Sequence, residues 1–275
     1  MSRIELLLST MNNRIDVLKQ LNIKTDVVVV NQCDDSSIKE LEFNGYHVTW
    51  INSITRGLSR SRNIAIKYSK ADFIVLTDDD LEYREDYANI ILESFEKYND
   101  ADVLAFKVNG IEKKFKDYSD NSKRISFFGS MKKSSVELVF RREAIVQNGI
   151  KFNENFGSGA EFKMGEENIF LFKCLKKNLK IQYVPYIIAD LHMTKSTWFK
   201  GYNRKYFYDR GAIYYEMFGR FAPIMIFQFI IRKRDLYRRE ISSFDAWKCS
   251  IQGLEKMKLI KNQTKDRKWK KKNEE

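Results

Sequence analysis

Short apolar runs separated by amphipathic stretches order the first hundred residues. Residues 4–8 form one such run, and residues 12–21 place Ile15, Leu18 and Leu21 at helical spacing. Asp26 leads into Val27, Val28, Val29 and Val30. Four β-branched residues in succession leave no polar side, as in a parallel strand covered on both faces. Residues 36–44, with Ile38 and Leu41, are read as a helix, 48–51 as a strand, 58–69 as a helix and 73–76 as a strand ending at Thr77. Residues 87–98 carry Ile90, Ile91 and Phe95 and predict another helix, followed by a strand over 103–108. Strands alternating with helices predict an α/β fold built on an open, largely parallel sheet.

The alternation weakens beyond residue 108. A polar stretch over 109–131 predicts a mobile loop, 136–140 a strand, and 141–147 a short helix. A Phe-Gly-Ser-Gly loop at 156–159 precedes a helix over 166–177 bearing Ile169, Phe170, Phe172 and Leu175. Residues 183–194 read as a strand, and the chain beyond Trp198 as mostly helical, aromatic and basic. The expected division is a catalytic domain over 1–195, with halves 1–108 and 109–195, and a helical C-terminal region over 196–275.

Composition narrows the function classes. With 275 residues, 43% hydrophobic and 14% aromatic, the chain can bury a sizeable core, which excludes wholesale disorder. Cys33, Cys174 and Cys249 lie far apart, against a disulfide scaffold or a Cys-based zinc site and for reduced cytosolic thiols. Charge is segregated: residues 1–195 carry 29 basic and 28 acidic side chains, residues 196–275 carry 20 and 9. A basic tail points to an anionic partner, nucleic acid or a membrane surface. The N-terminal apolar run is too short for an export signal and contains Glu5. The longest apolar stretch, 221–231, includes Gln228 and falls short of the about 20 residues a spanning helix needs. The expected location is cytoplasmic, with this stretch suited to lying in a bilayer interface.

Ligands of such sheets bind beyond the carboxyl ends of the strands, where this chain places Ser9 to Asn12, Asn31 to Asp35, and Thr77 to Asp80. Asp78, Asp79 and Asp80 are consecutive carboxylates. Asp78 and Asp80 can share a Mg2+ or Mn2+ that also holds a diphosphate and neutralises a leaving phosphate. The alternative is that Asp80 caps a following helix while the others face water. Glu166 and Glu167 open a helix, where one can deprotonate an acceptor hydroxyl or both can serve the helix dipole. Arg56, Arg60 and Arg62 surround a Gly/Ser turn that opens a helix, a setting that offers N–H groups and guanidinium forks to phosphate. His192 follows an apolar run and can complete a metal's ligand set or stay a hydrogen-bonded structural residue.

In order and spacing these segments resemble glycosyltransferase family 2, enzymes of the GT-A fold. Residues 57–63, Gly-Leu-Ser-Arg-Ser-Arg-Asn, are similar to the family's Gly-x-x-x-Ala-Arg-Asn segment. Asp78 to Asp80 resemble its metal-binding Asp-x-Asp, and Gly165, Glu166 and Glu167 its Gly-Glu-Asp base motif. The resemblance spans roughly residues 3–195. It implies a GT-A-like, Rossmann-related open mixed sheet flanked by helices, and transfer of a sugar from a nucleotide-diphosphate donor, a UDP-sugar foremost, to a saccharide or lipid-linked acceptor. Residues 1–108 would bind the donor and 109–195 the acceptor. Thr10, Asn12, Gln32, Asp34, Arg62 and Asp79 would hold the donor, with Arg62 approaching the diphosphate. Asp78, Asp80 and His192 would hold Mn2+ or Mg2+. Glu167, beside Glu166, would act as base in a single inverting displacement. The family's Asp-Asp-Gly-Ser after the second strand is replaced by Asn31, Gln32, Cys33 and Asp34, which leaves Gln32, Asp34 and Asp35 as alternatives for the nucleobase contact.

The tail then fits a helix lying on anionic lipid at the inner membrane face, where lipid-linked acceptors of surface polysaccharides are found. The alternative is that its aromatics pack inward and its lysines are merely solvated. A nucleic-acid-binding protein would explain the charge but leaves an acidic sheet mouth that repels phosphate, so no nucleic-acid partner is expected. A sugar nucleotidyltransferase would call for a Gly-rich loop after the first strand, and residues 9–13 contain no Gly.

Overall fold

The structure is a computed structural model that describes residues 2–193 and 201–274, with side chains to residue 264 and at 266. In chain order its elements are β1 (Ile4–Met11), α1 (Val17–Gln20), β2 (Asp26–Gln32), β3 (Ser37–Phe43), β4 (Tyr46–Ser53), α2 (Leu58–Tyr68), β5 (Phe73–Asp78), β6 (Leu81–Tyr83), α3 (Tyr87–Lys97) and β7 (Val103–Gly110). There follow β8 (Lys123–Arg124), α4 (Phe127–Ser130), β9 (Leu138–Arg141), α5 (Arg142–Gln147), α6 (Glu166–Lys176) and β10 (Ile181–Leu191). The C-terminal helices are α7 (Arg204–Phe218), α8 (Ala222–Arg232), α9 (Arg234–Tyr237) and α10 (Ser243–Glu274). Two compact units result: Met1–Glu161 with Glu166–Ser196, and Phe162–Gly165 with Thr197–Glu275.

The first unit is an α/β sheet in the order β3-β4-β2-β1-β5-β9-β7-β10-β6, with β8 on β10. Strands β4, β2, β1 and β5 are mutually parallel. Strand β9 then runs antiparallel between β5 and β7, so the sheet is an open mixed one around a parallel centre, as the family resemblance implies. The valine run behaves as its pattern demands. Val27 and Val29 join Leu6, Leu8 and the α3 residues Tyr87, Ile91 and Phe95 on one face. Val28 and Val30 join Leu7, the α2 residues Ala65 and Ile66, and the α6 residues Phe170, Leu171 and Cys174 on the other. Each fully buried Val or Leu contributes roughly 1.5–3 kcal/mol, so both helical layers are held by the same strands.

Two expected elements differ. Residues 36–44 form strand β3, not a helix: it pairs antiparallel with β4 around Asn44 and Gly45, both at positive φ. Asn-Gly is the turn that favours a two-residue hairpin, and Leu41 and Phe43, two apart, reach the core. Within residues 12–21 a single turn of helix forms, because Val17, Leu18 and Lys19 bond three residues back to Arg14, Ile15 and Asp16. The polar stretch after β7 carries β8 and α4 and packs Ile125 into the core.

In the second unit α7 and α10 approach so closely that a Cβ on Gly211 would lie 1.8 Å from Ser250 O, and one on Gly253 1.8 Å from Tyr208 O. Two glycines therefore set that crossing. Helix α8 buries Ala222, Ile226 and Ile230 but exposes Ile224, Phe227 and Ile231 along its other side, with Phe221 exposed just before it. Among the described residues no helix is long and apolar enough to cross a membrane. The expected start of the helical region, around Trp198, lies outside the described residues, as do most side chains of the lysine-rich end.

Candidate active site

The site is built at the carboxyl ends of β1, β2 and β5 from three pieces of chain. The first is the turn into α2. Gln32, buried at the end of β2, accepts the Gly57 N–H on its Oε1 at 2.7 Å and so positions the turn. Leu58 N–H donates to Ser158 O at 2.9 Å and the Ser59 hydroxyl to Phe156 O at 2.6 Å. These bonds zip the turn onto the Phe-Gly-Ser-Gly loop. Gly157 sits at φ +102°, a backbone region that favours glycine, and passes close to α6, since a Cβ there would stand 3.2 Å from the Glu166 carboxyl carbon. That close passage brings the start of α6 to the sheet.

Arg62 is the centre of what results. It is 1% exposed, donates from Nη2 to Asp78 Oδ1 at 3.1 Å and from Nη1 to Glu166 Oε1 at 3.1 Å, and lies over the Phe152 ring. One guanidinium thus joins the end of β5 to the first turn of α6, the latter 104 residues along the chain from Arg62 itself. The expectation that Arg62 approaches a diphosphate is corrected here: a buried side chain between two carboxylates is not open to phosphate.

The three aspartates have separate surroundings. Asp78 is paired with Arg62. Asp79 accepts from the Thr10 hydroxyl at 2.5 Å and from Asn13 Nδ2 at 3.0 Å, which ties it to the end of β1. Asp80 has a buried Oδ1 with no hydrogen-bond partner, and burial, followed by the charges of Asp78 and Asp79, pushes its carboxyl up to about 7. A helix does not follow it. Strand β6 does, so Asp80 caps nothing. An orphaned, crowded carboxylate of this kind suits a hard divalent cation. Among the described residues no three His, Cys, Asp or Glu side chains converge as a metal cage. His192 donates its backbone N–H to Asp80 O at 2.9 Å, while its imidazole stands 3.5 Å from Glu82 and 3.6 Å from Glu112. It braces the turn and is not gathered with Asp78 and Asp80 into a ligand set.

Glu166 and Glu167 also divide. Glu166 is buried against Arg62. Glu167 is partly exposed, and its pKa lies above the ordinary carboxylate range because of desolvation and the neighbouring Glu166 carboxylate. A carboxyl raised toward neutrality is poised for proton transfer.

The remaining candidates lie around the mouth. Asn12 is exposed, at φ 51°, and its N–H donates to Gln32 O. Asp34 is 98% exposed and pairs with Arg56 at 2.6 Å. Asp35 is held by Ser37 and Asn52, whose hydrogen bonds lower its pKa. Asn31 reaches the same Asn52 at 3.0 Å. Asn13, which binds Asp79, was not expected among the site residues. Its signal was a second asparagine directly after the first strand.

The family model for glycosyl transferase family 2 matches residues 9–160, more than half of the chain. The chain belongs to this family. The glycosyltransferase also shares its fold with solved structures at 15% sequence identity. S. aureus TarS 1–349 in complex with UDP-GlcNAc aligns with a TM-score of 0.62 over 86% of this chain and 74% of that one. S. aureus TarS 1–349 aligns at 0.59 over 86% and 73%, and the structure of S. aureus TarS at 0.60 over 86% and 44%. At that identity the likeness is one of fold. A search of curated proteins finds no match to the enzyme. The matched segment contains the Arg62 turn and the three aspartates and ends before Glu166.

Proposed function

We propose that this glycosyltransferase moves a sugar from a UDP-sugar to a hydroxyl of a saccharide or lipid-linked acceptor, with inversion, in building a bacterial surface polysaccharide. The observation that carries the reading is the Arg62 bridge, which fixes the acidic end of β5 beside the acid pair that opens α6. The donor faces residues 1–108 and the acceptor residues 109–195. Thr10, Asn13 and Asp79 form a hydrogen-bonding rim for the nucleoside, and Asn31, Asp35 and Asn52 a second one. A protein of the same fold is seen with UDP-GlcNAc and with UDP, which supports that donor class. Asp80, with Asp78 at its side, would hold Mn2+ or Mg2+, such ions commonly being held by one or two carboxylates plus substrate phosphates. The bound ion would supply charge neutralisation at the departing diphosphate.

The chain's own part is proton removal and positioning. The Glu167 carboxylate takes the acceptor hydroxyl proton as the acceptor oxygen forms its bond to the anomeric carbon. The bond from that carbon to the diphosphate oxygen breaks, and the electron pair leaves with UDP. Attack and departure on opposite faces invert the centre.

The reading includes attachment to the inner face of the cell membrane through α8. Phe221, Ile224, Phe227 and Ile231 are 54–64% exposed, and residues 220–239 carry six basic side chains against Asp235. At about 1 kcal/mol per basic residue near an anionic surface, with a similar gain from each half-exposed apolar side chain, this suffices for reversible binding.

The test is a panel of nucleotide sugars assayed for binding and slow hydrolysis with Mn2+. The native enzyme is expected to select one donor. Glu167→Gln should lose about 10²–10⁴-fold in turnover while keeping donor affinity. Equal loss of both removes Glu167 as base, and no response to any nucleotide sugar overturns the reading.

A further inference from the structure

A cavity distinct from the candidate active site lies in the first unit, on the face of the sheet that carries α6. It is a cavity of about 610 Å³ whose lining includes Lys116, Tyr118, Lys123, Lys132, Lys133 and Tyr183. Its size falls within the usual range for ligand pockets, roughly 300–1,000 Å³.

Its position follows from the register. Ala105 of β7 pairs with Tyr183 on one side and with Leu138 on the other, and Val139 pairs with Val75 of β5. Three strand spacings separate β10 from β5, about 14 Å. The cavity also touches the acid helix through the chain itself. Asn168, the residue after Glu167, donates from Nδ2 to Ser130 O at 3.2 Å and to Lys133 O at 3.0 Å. The cavity wall is therefore bonded to the first turn of α6.

Its charge is unbalanced. Lys116 and Lys133 share one fully buried carboxylate, Glu137, with Lys133 at 3.0 Å. Arg124 on the rim is paired with Asp100, and Asp117 with Lys114. Lys123 and Lys132 are exposed and add positive charge that Glu137 does not offset. Burial lowers the Lys133 pKa, and the nearby charges of Lys116 and Lys123 add to that against the opposing pull of Glu137. Crowded ammonium groups around a cavity are relieved by an anion. Lys133 is held over this wall: the Tyr118 and Tyr183 rings lie parallel within 1°, and the Lys133 ammonium stands 4.4 Å over Tyr183.

We infer that this cavity binds the acceptor, and that the acceptor is an anionic glycan carrying phosphate or carboxylate groups. The inference rests on the glycosyltransferase reading above and names its acceptor class. Calorimetric titration with three probes tests it: a glycerol-phosphate oligomer, trigalacturonic acid and neutral maltotriose. The native enzyme should bind a charged probe at least tenfold more tightly than maltotriose, and the tighter of the two identifies phosphate or carboxylate. The double variant Lys123→Ala/Lys132→Ala alters exposed side chains, should keep the native melting temperature, and should lose at least tenfold in affinity for that probe. A single Lys132→Glu variant should lose as much. No preference for charge, or native affinity in both variants, overturns the inference. UDP binding by the native enzyme is measured alongside: its absence strikes the donor reading, whereas intact UDP binding with no charge preference strikes the acceptor assignment alone.

Discussion

Replacing Arg62 by Met separates a bridge from a phosphate ligand. The side chain is 1% exposed and the carboxylates it joins are 17% (Asp78) and 8% (Glu166) exposed. Removing one member of a buried ion pair leaves an uncompensated charge and costs about 3–5 kcal/mol. Here two carboxylates lose their partner together, and the contact with the Phe152 ring goes as well. Domains are stable by only about 5–15 kcal/mol, and for one of this size each kcal/mol is worth about 2–4 °C. Arg62→Met should therefore melt roughly 10 °C lower by circular dichroism. Adding Glu166→Gln removes one of the two stranded charges and should restore a good part of that loss. If Arg62 instead gripped the diphosphate, the variant would fold with native stability and lose donor affinity. That result, or a double variant no more stable than the single one, would refute the bridge.

Four further outcomes are expected. Glu167 has its folded-state pKa raised by burial and by Glu166, so the folded protein keeps a proton that the unfolded chain gives up, and stability falls as pH rises through that window. Glu167→Gln should thus melt higher than native at alkaline pH, by on the order of 1 kcal/mol, with no gain at pH below the ordinary carboxylate range. Mn2+ at a hundredfold excess over its dissociation constant should add about 2.7 kcal/mol, read as a rise in melting temperature that Asp80→Asn abolishes. Gly253→Ala puts a Cβ into the Tyr208 carbonyl and should cost about 1–3 kcal/mol as the helices are forced apart, seen as faster amide exchange in α7 and α10. Ile224→Glu/Phe227→Glu should abolish co-sedimentation with vesicles rich in phosphatidylglycerol, and unchanged binding would exclude α8 as the contact.

What was legible in the chain was local. The valine run, the strand ends and the acid-bearing α6 are written in contiguous residues, and they stand where their patterns put them. The misread segment, 36–44, also had a local signal, since Asn44-Gly45 joins two runs in the way a hairpin requires. Ile38 and Leu41 have helical spacing, but in a strand residues three apart face opposite sides, and here Ile38 is exposed while Leu41 packs on the core. The misjudged role, that of Arg62, had no local signal. An arginine in a Gly/Ser turn looks like a phosphate ligand until its partners are known, and those partners sit 16 and 104 residues away. The same holds for the basic cavity, whose lysines are spread over a polar stretch that reads as a loop.

The bridge also explains why the chain carries more acids at the mouth than the proposed chemistry uses. Five carboxylates, Asp78, Asp79, Asp80, Glu166 and Glu167, gather where like charges repel. Arg62 engages Asp78 and Glu166, and Thr10 with Asn13 engages Asp79. Asp80 and Glu167 are left, one with an unpartnered oxygen and both with raised pKa values. These are the two positions where the proposed reaction needs a cation ligand and a proton acceptor. The burial of one arginine and the hydrogen bonds of two neutral side chains thus sort five similar acids into three that are engaged by those groups and two whose carboxyls are raised toward neutrality.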